Sequence, residues 1–191
     1  MPDVSSDGPL PAGDFARWLD GTLAGWAEGR DADVPCDGCT ACCTSAQFVH
    51  IEPDERATLD RVPDALKFAA PGRPRGHVVV GYDEHGRCPM LVDDGCSIYA
   101  DRPRACRTYD CRVFAATGLE PDGAAKVELV ARVRRWRFTY AGGRERAAHD
   151  ELRARARARR GAAPSSTSTT ELALEAIEAH AADRAEARPR D

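Results

Sequence analysis

Four thiols fall within eight residues, at Cys36, Cys39, Cys42 and Cys43 of the run CDGCTACC, and four more follow at Cys88, Cys96, Cys106 and Cys111. Thiolates are soft ligands: four of them bind zinc in a tetrahedron or hold an iron–sulfur cluster. A two-residue spacer turns the chain so that both flanking sulfurs face inward, and Gly38 eases the first such turn. Asp37 and Thr40 supply polar groups for local hydrogen bonds. Adjacent Cys42 and Cys43 are different, because neighbouring side chains diverge in a strand and in a helix alike. They belong to separate centres, or one binds and the other is structural or reactive. All eight cysteines are candidate metal ligands. Two four-thiolate sites, one binuclear centre and one site with four spare thiols all remain open.

The spacing also leaves the metal open between zinc and iron. Cys36, Cys39 and Cys42 reproduce the CxxCxxC start of a ferredoxin-type ligand run, and Cys88 precedes Pro89, as the remote ligand there often does. Cys43 departs from that run. The paired spacing, with a hairpin expected beside Cys88 and Cys96, is closer to small zinc modules. The expected cofactor is therefore Zn2+ or iron, the latter including a [4Fe-4S] cluster. Arg87, Arg102, Arg104, Arg107 and Arg112 flank the second group and are placed to donate to sulfur or to a bound anion. Cys106 and Cys111 are five positions apart, which one continuous helix would not bring to one face, so a helix should end near Asp110. Of the scattered histidines, His85 lies three residues before Cys88 and is the reserve ligand, although it sits in a turn. Asp93-Asp94-Gly95 reads as ordinary turn chemistry. No catalytic residue stands out, and whether the protein is an enzyme is left open.

Stepping outward from the thiols, Asp14 is suited to cap a helix to about Gly29 whose Phe15, Trp18, Leu19, Leu23 and Trp26 share one side. A strand is expected at residues 47–51, a helix from Pro53 through Leu59, and a short helix at 63–68. Breakers make 71–76 a loop. Residues 77–82 and 87–92 are predicted to pair as a hairpin about the turn at 83–86. Pro103 suits the first turn of a helix carrying Cys106. Residues 124–140 favour a helix with Leu129, Val133, Trp136 and Tyr140 on one face, with a strand at 135–140 as the alternative. Residues 145–160 look helical, yet Leu152 is their one large apolar residue, so a solvated arm is expected. A Ser/Thr-rich linker and a terminal helix at 171–186 follow. The expected fold class is α+β: a small, irregular cysteine-cluster metal-binding domain with a β-hairpin, short helices and helical N- and C-terminal extensions. The expected boundaries are a disordered stretch at 1–13, the metal-binding domain with its leading helix at 14–118, a basic extension at 119–160, and a linker with an acidic helix at 161–191.

Taken in order, the CxxCxxCC run, Cys88-Pro89-Met90-Leu91, Gly95-Cys96-Ser97-Ile98-Tyr99, Arg102-Pro103-Arg104-Ala105-Cys106-Arg107 and Cys111 resemble the YkgJ-like cysteine-cluster family. The match covers about residues 36–115. The resemblance implies a domain that chelates zinc or iron. Flagellin lysine-N-methylases contain a similar region, which raises methyl transfer to a protein substrate as an alternative. This chain shows neither a glycine-rich strand-to-helix loop suited to a methyl donor nor the CxxxCxxC triad of radical enzymes.

Composition bounds the remaining classes. Aromatic residues make up 6% of the 191-residue chain and charged residues 30%, so the apolar core is modest and a metal would add to folding. The net charge of −4 selects no partner, but residues 126–160 hold twelve cations and four acids, net +8, between acidic ends. Phosphate contacts by that segment would make a zinc-stabilised adaptor for protein or nucleic acid. No base-reading motif supports nucleic acid, and pairing with the acidic ends is as plausible. The N-terminus lacks a secretory pattern, and no run reaches the ~20 apolar residues of a membrane helix. The expected compartment is the cytoplasm, where thiols stay reduced, with no membrane association. The expectation is a metal-binding protein whose centre is structural or handles metal. An iron–sulfur enzyme or electron carrier acting on a protein substrate, and an Arg-armed adaptor, are the alternatives.

Overall fold

The computed structural model describes residues 8–34, 36 and 38–186 of the chain. In chain order the elements are β1 (Leu10–Asp14), α1 (Phe15–Glu28), β2 (Val49–Ile51), α2 (Arg56–Arg61), β3 (Lys67–Ala69), β4 (Val78–Val80), β5 (Leu91–Val92) and β6 (Gly95–Cys96). They continue as α3 (Arg104–Arg107), α4 (Arg112–Thr117), α5 (Val127–Arg135), β7 (Trp136–Thr139), α6 (Gly143–Ala162) and α7 (Thr169–Glu186). Helices and several small sheets make this an α+β protein, as the sequence leads one to expect. The chain folds into two units, each with its own core.

The first unit comprises residues 1–27, 111–122 and 130–191. β1 pairs in parallel with β7, Leu10 opposite Trp136 and Asp14 opposite Thr139, with an irregularity between Pro11 and Gly13. Residues 10–13, read from sequence as disordered, are therefore strand. The physical reason is a partner 126 positions along the chain, which no local pattern reveals. The same reading for residues 1–7 lies outside the described residues. Asp14 does cap α1, its Oδ1 accepting the Arg17 N–H at 3.0 Å. Phe15, Trp18 and Leu19 are buried, and Phe15 stacks on His149 at 4.3 Å between ring centroids. His149 is 1% exposed and fully bonded: one ring nitrogen lies 2.8 Å from the Tyr140 hydroxyl, the other 2.8 Å from the Ala116 carbonyl. Burial pushes its pKa down to about 4, with Arg153 adding to the shift.

α6 corrects a second expectation. It is no solvated arm: His149, Leu152 and Ala156 are buried, and α6 packs against both α4 and α7. α7 contributes Leu172, Ala173, Ala176 and Ile177 to the same core. Alanines close the gap between the helices, so a search for large apolar residues misses the buried face. Segment 124–140 resolves into both of its readings, helix to Arg135 and strand from Trp136. The Arg-rich stretch pairs within its unit, Arg134 with Glu120 at 2.6 Å, Arg159 with Glu175 at 3.5 Å, and Arg155 with Asp183. Such exposed pairs add little to stability, because water and salt screen them.

The second unit comprises residues 28–110 and 123–129. Its sheet has the order β2-β4-β3, antiparallel throughout. Ile51, Val62, Val80, Met90 and Ile98 form its core, with Cys88 and Cys96 packed against them. The predicted hairpin between 77–82 and 87–92 does not form. Both edges of β4 are taken by β2 and β3, while β5 pairs with β6 across Asp93-Asp94. The unit thus has its hairpin one turn later, at Cys96. α2 starts at Arg56 rather than Pro53, since the Glu55 backbone before it, at φ −79° and ψ 57°, is not helical. Residues 67 and 68, expected as the end of a helix, are instead the start of β3.

Candidate metal centre

Four segments of the second unit carry the thiols. In the first, the Cys39 N–H donates to the Cys36 carbonyl at 2.8 Å and the Cys43 N–H to the Thr40 carbonyl at 2.8 Å, so each spacer closes a turn. Gly38 has φ +68°, the left-handed conformation that glycine adopts without strain. The local bonding expected of Asp37 lies outside the described residues. The Ser45 hydroxyl donates back to Ala41, and Gln47 Nε2 donates to the Cys42 carbonyl at 3.1 Å.

The second segment docks on the first through the main chain. The Cys88 N–H donates to the Cys43 carbonyl at 2.7 Å, and the Ala46 N–H to the Gly86 carbonyl at 2.8 Å. A Cβ on Gly86 would stand 3.3 Å from the Ala46 methyl, at a φ of +75°, so glycine permits this approach. Asp83 fixes the turn above it, its Oδ1 accepting the His85 and Arg87 N–H groups at 2.9 and 2.8 Å. Hairpin β5–β6 brings Cys96 opposite Leu91, and α3 carries Cys106.

α3 is placed by a buried carboxylate that sequence reading did not single out. Glu55 accepts the Glu52 N–H on one oxygen and the Arg104 N–H, at the start of α3, on the other. It is 7% exposed. The Arg104 guanidinium bonds Glu52 and, at 2.8 Å, Asp54. Thr58 donates its hydroxyl to the Asp101 carbonyl at 2.7 Å. These contacts span about fifty positions of sequence, and a lone Glu in a charged run carries no signal of burial.

The electrostatics show which thiols come together. Burial pushes the Cys43 thiol up to about 11, and Cys88, Cys96, Cys39 and Cys36 each add to the rise. Cys106 is pushed up to about 12 by burial and then by Cys43, Cys88 and Cys96, although it keeps a solvent-facing surface; Arg102 acts in the opposite direction. Burial likewise raises Cys88, with Cys96 contributing. Five of the predicted ligands thus act on or around Cys43. Cys111 lies in the first unit, 6% exposed, where the Trp136 indole N–H donates to its sulfur at 3.2 Å. Cys42 is half-buried beside Cys43.

Of the flanking arginines, Arg102 lies 4.1 Å over the Tyr99 ring and is the one that counters the Cys106 rise. Arg104 and Arg107 are committed to carboxylates, Arg107 to Asp31 at 2.8 Å. Arg112 is buried in the first unit, 3.3 Å from the Ala12 carbonyl. His85, the reserve ligand, is exposed and 3.7 Å from Glu84.

The donor set suits a soft, positively charged guest. Thiols packed together out of water resist ionising because each thiolate repels the next. A bound cation reverses that penalty and deprotonates its thiols outright. The thiols are gathered rather than closed: among the described residues no three His, Cys, Asp or Glu side chains surround one point tightly enough to hold an ion as they stand.

Residues 35–127 match the family model named CxxCxxCC, described as a putative zinc- or iron-chelating domain. This part of the chain, just under half of it, is similar to that family. No curated protein and no solved structure matches the chain. No described helix is long and apolar enough to cross a membrane.

Proposed function

We propose that the second unit holds a thiolate metal centre built around Cys43, drawing its ligands from Cys36, Cys39, Cys88, Cys96 and Cys106, with a structural or metal-handling role. The observation that carries this reading is the convergence of those thiols on Cys43 from four separate segments. Cys43, rather than Cys42, is then the ligand of the adjacent pair, since neighbouring side chains diverge. A zinc ion or an iron–sulfur cluster held there would supply the crosslink that a five-residue apolar core lacks. Arg102 would offset the negative charge of the thiolates.

Protein purified without oxygen, analysed for zinc, iron and sulfide and by visible absorption, tests the reading. Zinc without colour supports a structural or handling site, and a brown iron- and sulfide-bearing protein moves it toward electron transfer. Cys43→Ser should remove most of the metal, whereas Cys42→Ser should leave the stoichiometry intact. Full metal content in Cys43→Ser would refute the assignment.

A further inference from the structure

The order β2-β4-β3 gives β3 a neighbour on one side and, among the described residues, no strand on the other. The Ala70 N–H donates to the His77 carbonyl at 3.0 Å, so Ala70 faces β4. Main-chain groups alternate along an antiparallel strand, so those of Phe68 also turn toward β4 and those of Lys67 and Ala69 turn outward. The Lys67 N–H is taken by the Asp64 carbonyl. The outer edge therefore offers the Ala69 N–H and the carbonyls of Lys67 and Ala69. Side chains alternate as well. Lys67 stands opposite Val80 on the core side, where its ammonium bonds the Leu59 carbonyl at 2.9 Å and Asp64 at 2.6 Å. Phe68 stands opposite Val79 on the outer face and is 57% exposed. His50, across Val79 from Phe68, is tied to His77 by a hydrogen bond of 2.9 Å between ring nitrogens. Natural sheet edges are guarded by outward lysines, prolines or bulges. At β3 the lysine is turned inward, and Phe68 and Ala69 are the exposed positions.

We propose that β3 is a docking edge for a second copy of this chain. Antiparallel pairing of two β3 strands about a twofold axis at Phe68 sets Ala69 of each copy opposite Lys67 of the other. The Ala69 N–H then donates to the Lys67 carbonyl, twice by symmetry, and the two Phe68 rings meet as a close cross-strand pair. The charges favour this orientation. β3 runs on into the loop at 71–76, where Arg73 and Arg75 are exposed and in no ion pair among the described residues. Its other end is preceded by Asp64, whose side chain is 98% exposed. Antiparallel pairing lays the cationic end of each copy beside the acidic end of the other, whereas parallel pairing would oppose like charges. That self-complementarity is what an isologous contact requires, and it selects a second copy as the occupant. Two main-chain bonds and one aromatic pair make a small contact, so the dimer is weak and concentration-dependent. The edge carries no thiol, so it does not depend on the Cys43 reading.

Sedimentation velocity on the full chain as purified, from low micromolar to submillimolar concentration, tests the proposal. The mean mass should rise from one chain toward two. Phe68→Glu should weaken association about tenfold, because it removes the aromatic pair and sets two carboxylates together. Ala69→Pro should weaken it as well, because it removes the outward donor and leaves the ladder to β4 intact. Arg73→Glu should lower the affinity, and adding Asp64→Arg to it should restore the pairing of opposite charges. Metal content and far-ultraviolet circular dichroism unchanged from the parent show that each variant is folded, and either of the first two carries the test if the other is not. A monomer at every concentration, which would leave the edge to a different partner, or a dimer as tight in the folded variants as in the parent, would overturn the proposal.

Discussion

The first unit buries Phe15, Trp18, Trp136, Phe114, Leu152 and Ile177, with a neutral histidine satisfied at both ring nitrogens in their midst. The second gathers Ile51, Val62, Val80, Met90 and Ile98 into its core and sets cysteines against them. One unit resembles an ordinary folded core. The other carries seven of the chain's eight cysteines, in short elements of two to six residues joined by turns. At about 25 cal/mol per Å2 of apolar burial, a fully buried Phe or Leu contributes about 1.5–3 kcal/mol. The first unit has many such residues and the second few. Apolar burial is sparse where the cysteines gather, so under the proposed function metal ligation would do there what apolar burial does in the first unit.

Metal removal should separate the units most sharply. Structural zinc–thiolate sites contribute on the order of 10 kcal/mol to folding. Chelation should therefore abolish amide-exchange protection in residues 38–110 and leave α6 and α7 protected. Equal loss in both units, or none in either, would erase the comparison. Next in size, Phe15→Ala should cost about 3–5 kcal/mol and lower protection in the first unit without changing metal content. Metal analysis beside hydrogen exchange checks both halves of that statement.

A pH dependence should follow from His149, and burial of His180 in the same unit, which also lowers its pKa, adds in the same direction. The folded pKa of His149, about 4, lies below the ordinary 6.5, so the unfolded chain binds the proton more readily. Stability contributed by the neutral ring is present above pH ~6.5 and is lost as pH falls toward 4, by on the order of 3 kcal/mol. Denaturant unfolding of the first unit across this window should show the slope, and His149→Phe should reduce it to the part that His180 contributes. The smallest effect is expected at Glu55. Glu55→Gln keeps the shape but weakens two charge-assisted bonds, at about 1–2 kcal/mol, and should loosen metal binding about tenfold by releasing α3. Unchanged affinity would show that α3 is held by its other contacts.

Much of the chemistry was legible in linear order. The CxxC spacers, Gly38, Pro103 before the Cys106 helix and the break before Cys111 are local, because turn and helix preferences act over a few residues. Phe15, Trp18 and Leu19 announced the buried side of α1 by periodicity alone. What escaped were long-range pairings: β1 with β7, both edges of β4, the burial of Glu55, and α6 packed through alanines. None has a local signature, since each depends on which distant segment occupies the neighbouring space.

Residue type and spacing determined by themselves that this chain offers thiolates in two groups, because ligand chemistry belongs to the side chain. Tertiary structure alone decided that Cys88, Cys96 and Cys106 come near Cys43 while Cys111 lies in the other unit, and that His50 faces His77. Pairing strands and closing loops sets distances between residues that covalent geometry leaves free.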